Sequence, residues 1–83
     1  MTIKKPLVIK QPEVGQLIRK VRLLAGLTQE QFAAALGVTY STINRWENGR
    51  TEPSPLAMQK IERMLQEMGE HGQDLLLKYH LPN

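Results

Sequence analysis

The sequence predicts an all-α fold, a compact bundle of five short helices. Three observations carry that prediction. Apolar residues recur at helical spacing along most of the chain. Ser or Thr stands just before several of these stretches and Gly just after them, as helix starts and stops require. No stretch shows the two-residue alternation of a half-buried strand, and there is no internal repeat or low-complexity tract.

Residues 1–11 form a basic arm, with Lys4, Lys5 and Lys10 among Ile3, Leu7, Val8 and Ile9. It reads as a flexible arm or a short edge strand. Pro12 fits the first turn of a helix, where its missing N–H leaves nothing unsatisfied. Apolar residues then fall at 14, 17, 18, 21, 24 and 25, one face of an amphipathic first helix over residues 13–25. Gly26 supplies its stop.

Thr28 opens the second helix. Its hydroxyl is placed to accept the N–H of Gln31 while Gln31 reaches back, a capping box. Leu27 and Phe32 bracket the cap as an apolar staple. The helix runs through Phe32, Ala33 and Leu36 to Gly37. Only Val38 separates Gly37 from the next cap, Thr39, and Val38 and Ile43 again hold the staple positions. The third helix turns Ile43 and Trp46 inward and stops at Asn48 and Gly49.

A loop follows, and Ser54 caps the fourth helix with Pro55 at its first position. Met58, Ile61, Met64, Leu65 and Met68 form its apolar stripe, a gap-filling core face. Gly69 and Gly72 break the pattern. A fifth helix is expected from Gln73 to His80. Leu75, Leu76, Leu77 and Leu81 cannot all face inward on so short a helix, so some are left outside, where a dimer contact could form. The chain thus divides into an arm over 1–11, a helical domain over 12–68 and a C-terminal helix or tail over 69–83.

Composition limits the function. At 83 residues there is room for one domain, with 41% apolar and 23% charged residues, a globular balance. The absence of cysteine excludes a disulfide framework, a thiolate metal site and a cysteine nucleophile. His71 and His80 lack metal-ligand spacing. There is no Gly-rich phosphate loop and no nucleophile–base pair, so neither an enzyme nor a cofactor is expected. No apolar run approaches the ~18 residues of a membrane span, and the N-terminus lacks the apolar stretch of a signal peptide. A cytoplasmic, nucleoid-associated protein is expected.

The net charge of +3 hides a gradient. Residues 1–22 carry six cations against Glu13, residues 23–50 are neutral, and residues 51–83 carry three cations against five acids. A basic front and an acidic back suit a protein with one face toward a polyanion.

The informative stretch is Gln29 to Asn48. Two helices joined only by Gly37, Val38 and Thr39 must cross steeply rather than lie antiparallel. Ala33, one turn before Gly37, lets them approach closely, and Phe32, Leu36, Val38, Ile43 and Trp46 supply the shared core. With Ile43 and Trp46 inward, the opposite face of the third helix collects Ser41, Asn44, Arg45 and Asn48, with Tyr40 at its edge. Arginine suits guanine, asparagine suits adenine, and serine suits either, and a short helix fits the major groove. Gln29 at the start of the second helix, Thr39 and Asn48 at the ends of the third, and Arg50 just beyond are placed for phosphates.

These residues resemble a known family. The strings Leu27-Thr28-Gln29-Glu30-Gln31-Phe32-Ala33, Leu36-Gly37-Val38-Thr39, Thr42-Ile43-Asn44-Arg45-Trp46-Glu47-Asn48-Gly49-Arg50 and Pro53-Ser54 are similar to the lambda-repressor-like (Cro/phage-repressor) helix-turn-helix family. The similarity spans about residues 14–68. It implies an all-α domain that binds double-stranded DNA and regulates transcription, mostly as a homodimer on palindromic operators. By that resemblance Tyr40, Ser41 and Arg45 read bases, with Asn44 beside them, and Gln29, Thr39 and Asn48 hold phosphates. It also implies a partly buried ion pair between Arg22 and Glu47. Small members of the family also act as antitoxins that bind a toxin and repress their own operon, an alternative that the arm and the leucine-rich tail would serve.

Overall fold

A computed structural model of the chain describes residues 10–79. It contains five helices: α1 (Glu13–Leu24), α2 (Gln29–Leu36), α3 (Tyr40–Glu47), α4 (Pro55–Glu67) and α5 (Glu70–Tyr79). α1 packs against α3, α4 and α5, α2 lies against α3 and α4, and α4 lies against α5. Val14, Leu17, Ile18, Val21, Phe32, Ile43, Ile61 and Leu65 are fully buried, so every helix but α5 gives large side chains to one core. α5 adds Leu76. Leu27, Val38, Met58, Met64, Met68 and Leu75 pack around its edge.

The helix starts follow local chemistry. Thr28 accepts from Gln31 N at 3.1 Å and Gln31 Oε1 accepts from Thr28 N at 2.9 Å, closing the capping box. Thr39 and Ser54 cap α3 and α4 through Thr42 N and Ala57 N. α1 is capped differently from its sequence pattern. Pro12 stands at the N-cap rather than inside the helix and offers no side-chain bond. The Gln11 carboxamide takes over, accepting from Gly15 N at 3.0 Å.

α5 begins three residues earlier than the sequence suggests. Gly72 does not break it; it lies buried inside it. A Cβ there would collide with the backbone carbonyl of Leu65, so only glycine lets α5 approach α4 this closely. Leu76 then faces the core, Leu75 is half-buried and Leu77 is exposed. His80 and Leu81 lie outside the described residues, as do Lys4 and Lys5 of the arm.

Candidate nucleic-acid interface

The turn between α2 and α3 is built by hydrogen bonds that end one helix and aim the next. Gly37 adopts φ +73°, which glycine takes without steric penalty. Its N–H reaches Ala34 O at 3.2 Å, and Val38 N reaches Ala33 O at 2.9 Å. That is a Schellman closure, and it directs Val38 against the core. Lys60 of α4 adds a bond to Leu36 O at 3.2 Å. The far end of α3 closes the same way, with Gly49 N on Trp46 O and Arg50 N on Arg45 O.

Between these two closures, α3 presents two unlike faces. Ile43 and Trp46 are buried. Tyr40, Ser41, Arg45 and Asn48 are exposed and Asn44 is half-buried. The exposed set carries a phenol, a hydroxyl, a guanidinium and a carboxamide, and no aliphatic side chain among them. Thr39 and Arg50 flank it at the surface, and Gln29 is half-buried on the first turn of α2.

Beneath this surface the polar groups are connected. Arg22 Nε and Nη2 donate to Glu47 Oε2 and Oε1 at 2.7 and 3.1 Å, and Nη1 donates to Leu27 O at 3.1 Å. The Glu47 hydrogen bond holds the Arg22 guanidinium above its ordinary value, against burial that opposes it. Gln29 Nε2 donates to Glu47 Oε1 at 3.1 Å. Asn44 Nδ2 reaches Gln29 Oε1 at 3.4 Å, and Asn48 Nδ2 reaches Asn44 Oδ1 at 3.0 Å. The ion pair and the three carboxamide residues that the sequence reading kept apart are therefore one bonded group.

Two residues of this region escaped the sequence reading. Gln11, placed there in the arm, donates from Nε2 to Trp46 O at 3.0 Å and Thr51 O at 2.6 Å, while its backbone N–H donates to Glu52 Oε2 at 3.2 Å. It ties the start of α1 to the end of α3. Gly15 is buried where α1 crosses α3, and a Cβ there would meet the Trp46 carbonyl. A glycine within the apolar face of an amphipathic helix was the available signal, since glycine is a poor helix former unless close packing requires it.

Among the described residues no group of three or more His, Cys, Asp or Glu is placed to hold a metal ion, and no helix is long and apolar enough to cross a membrane.

The helix-turn-helix family model HTH_3 matches residues 18–67. The chain is 43% identical over 61 residues to an uncharacterized HTH-type transcriptional regulator of Methanothermobacter thermautotrophicus, covering 74% of this chain and 86% of that protein. It is 44% identical over 51 residues to the uncharacterized HTH-type transcriptional regulator YazB of Bacillus subtilis, covering 61% and 74%. It is also 41% identical over 54 residues to the type II methyltransferase M1.ScrFI of Lactococcus lactis, but there it spans only 14% of the relative. No solved structure matches the chain at a significant level. The matched segment holds the Schellman turn, the two-faced α3 and the Arg22–Glu47 pair: this chain belongs to the lambda-repressor-like helix-turn-helix family of DNA-binding transcriptional regulators.

Proposed function

We propose that the chain binds double-stranded DNA in a sequence-specific manner, with α3 in the major groove, and represses transcription by occupying an operator. The outward face of α3 carries this reading: Tyr40, Ser41 and Arg45 are exposed there while Ile43 and Trp46 on the opposite side are buried. In it, Tyr40, Ser41, Asn44 and Arg45 meet base edges, and Gln29, Thr39, Asn48 and Arg50 meet phosphates. The reaction is binding alone.

Dimerisation is part of the proposal. Where the last turn of α1 meets α5, a groove of about 470 Å³ is lined by Lys20, Leu23, Leu24, His71, Asp74 and Leu75. Leu23 is 59% exposed and Leu24 is 41% exposed. A second copy docked there would remove these leucines from water, and Lys20 and Asp74 give the rim both signs of charge, as a two-fold contact needs. The same apolar surface favours the second reading, an antitoxin that holds a toxin protein on it.

Selection of bound duplexes from random sequence at fixed salt tests the first reading. The expected product is a two-fold symmetric site with half-sites about 34 Å, one DNA turn, apart. Recovery of unrelated sequences only would reject sequence-specific binding. Recovery of asymmetric single sites, with a monomer in sedimentation, would reject the dimer.

A further inference from the structure

The bonded group beneath α3 has a direction, and that direction is set at its buried end. The Glu47 side chain is 3% exposed, and as a carboxylate it only accepts hydrogen bonds. Gln29 must therefore turn its Nε2 toward Glu47 and its Oε1 away. That oxygen faces Asn44 and accepts from its Nδ2, so Asn44 turns Oδ1 toward Asn48 and accepts there in turn. A carboxamide has two ends of nearly equal shape, and its neighbours decide which end points where. Here a charge decides once and three amides follow.

After these bonds Asn44 keeps one N–H and one acceptor direction. An adenine edge in the major groove takes one of each, with N7 accepting and the N6 amino group donating. The Asn44 donor lies on the Gln29 side and its acceptor on the Asn48 side. Reversing the amide would reverse the order in which the two groups meet a base.

We propose that Glu47 and Gln29 are positioning residues for specificity: the buried acid, acting through Gln29, fixes which way round the Asn44 carboxamide meets an adenine edge. This rests on the major-groove reading of α3 proposed above. Gln29 then has two tasks. Its second Nε2 hydrogen is left for a phosphate, and its oxygen orients Asn44.

Two measurements on the full chain test this. Nitrogen relaxation of side-chain amides, without DNA, compares Asn44 with the exposed Gln66 of α4. The Asn44 amide should be the more ordered in the wild type and should loosen in Gln29→Ala. Equal mobility of Asn44 in wild type and variant overturns the relay. Random-duplex selection at fixed salt then compares wild type, Gln29→Ala, Asn44→Ala and the double variant. The wild type should favour adenine at one position of the site by about fivefold or more. Gln29→Ala and Asn44→Ala should each lose that preference while keeping those at other positions, and the double variant should lose no more. Gln29 is half-buried and outside the core, so its truncation leaves the fold in place. A Gln29→Ala chain that binds every sequence more weakly but keeps the adenine preference makes Gln29 a phosphate contact alone and overturns the proposal. A wild type that selects no sequence while its Asn44 amide is ordered overturns it too, but by removing the DNA reading on which it stands.

Discussion

Arg22 and Glu47 meet through two parallel N–H···O bonds, Nε to Oε2 at 2.7 Å and Nη2 to Oε1 at 3.1 Å, with side chains only 12% and 3% exposed. The pair joins α1 to α3, and the third arginine bond, to Leu27 O, draws in the start of α2. Removing one partner from such a site strands the other charge. Glu47→Ala should lower unfolding free energy by about 3 kcal/mol in urea titration. Glu47→Gln should cost less, because its carbonyl still accepts from Arg22. A loss below about 1 kcal/mol for Glu47→Ala would place the pair among weak surface contacts. The sign of the pH dependence is also fixed. The folded protein holds the Arg22 proton more tightly than the unfolded chain, so this stabilisation is complete below the ordinary arginine value and fades only above it. At neutral and mildly alkaline pH the cost of Glu47→Ala should stay constant.

Two helix glycines should resist alanine. In an exposed helix, Gly→Ala stabilises by up to about 1 kcal/mol. At Gly15 the new methyl would press on the Trp46 carbonyl and lie 2.9 Å from Gln11 Oε1. At Gly72 it would overlap the Leu65 carbonyl and lie 3.0 Å from Met68 Cβ. Overpacking of this kind costs about 1–3 kcal/mol or more, which exceeds the propensity gain. Thermal unfolding should therefore show both variants destabilised. Gly72→Ala should be the worse, since both atoms it meets belong to backbone or to the root of a side chain. A rise in melting temperature for either would mean that the helices separate freely.

These two glycines also mark where the sequence was hard to read. Thr28, Thr39 and Ser54 announce their helices because capping is local: the donor lies three residues from the cap. Gly37 announces the turn for the same reason. Gly72 and Gln11 act through tertiary packing rather than through a local turn, on Leu65 in the neighbouring helix and on Trp46 thirty-five positions away. Gly72 therefore looked like a break, and Gln11 looked like part of a tail. The two-faced α3 was legible from its 100° periodicity. The bond from Gln29 to Asn44 was not, because it depends on how α2 sits on α3.

Lys20 and Lys78 should lose their protons in a set order. Both ammonium groups lie over the Tyr79 ring, 5.5 and 5.8 Å from its centre, and Lys20 Nζ donates to the phenol oxygen at 3.2 Å. A neutral Lys78 can accept a hydrogen bond from the Lys20 ammonium, and this, followed by their mutual charge, lowers Lys78. The same hydrogen bond, followed by that to Tyr79, raises Lys20. As pH rises, Lys78 should become neutral first and then accept from the Lys20 ammonium. A carbon-detected titration of the two lysine ε-methylenes should give a lower midpoint for Lys78, and Lys20→Met should bring that midpoint back up. Equal midpoints in the wild type would show that the two side chains do not meet in solution.

Arg45 and Arg50 carry the same charge and should fail in different ways. Arg45 is exposed on the outward face of α3, and in the proposed complex its guanidinium would meet guanine O6 and N7 together. Arg50 lies beyond the Gly49 closure, with its backbone N–H on Arg45 O and its side chain exposed. The proposed complex puts it on a phosphate, which carries no sequence information. On the selected site, Arg45→Ala should cost about 1–3 kcal/mol and relax the preference at one base pair. Arg50→Ala should weaken selected and random duplexes alike and lower the dependence of log affinity on log salt by about one. Titrating both duplexes at several salt concentrations separates the two. The same uniform loss for both variants would reduce Arg45 to a second phosphate contact and move base reading to Tyr40, Ser41 and Asn44. An unchanged salt slope for Arg50→Ala would take that residue off the DNA altogether.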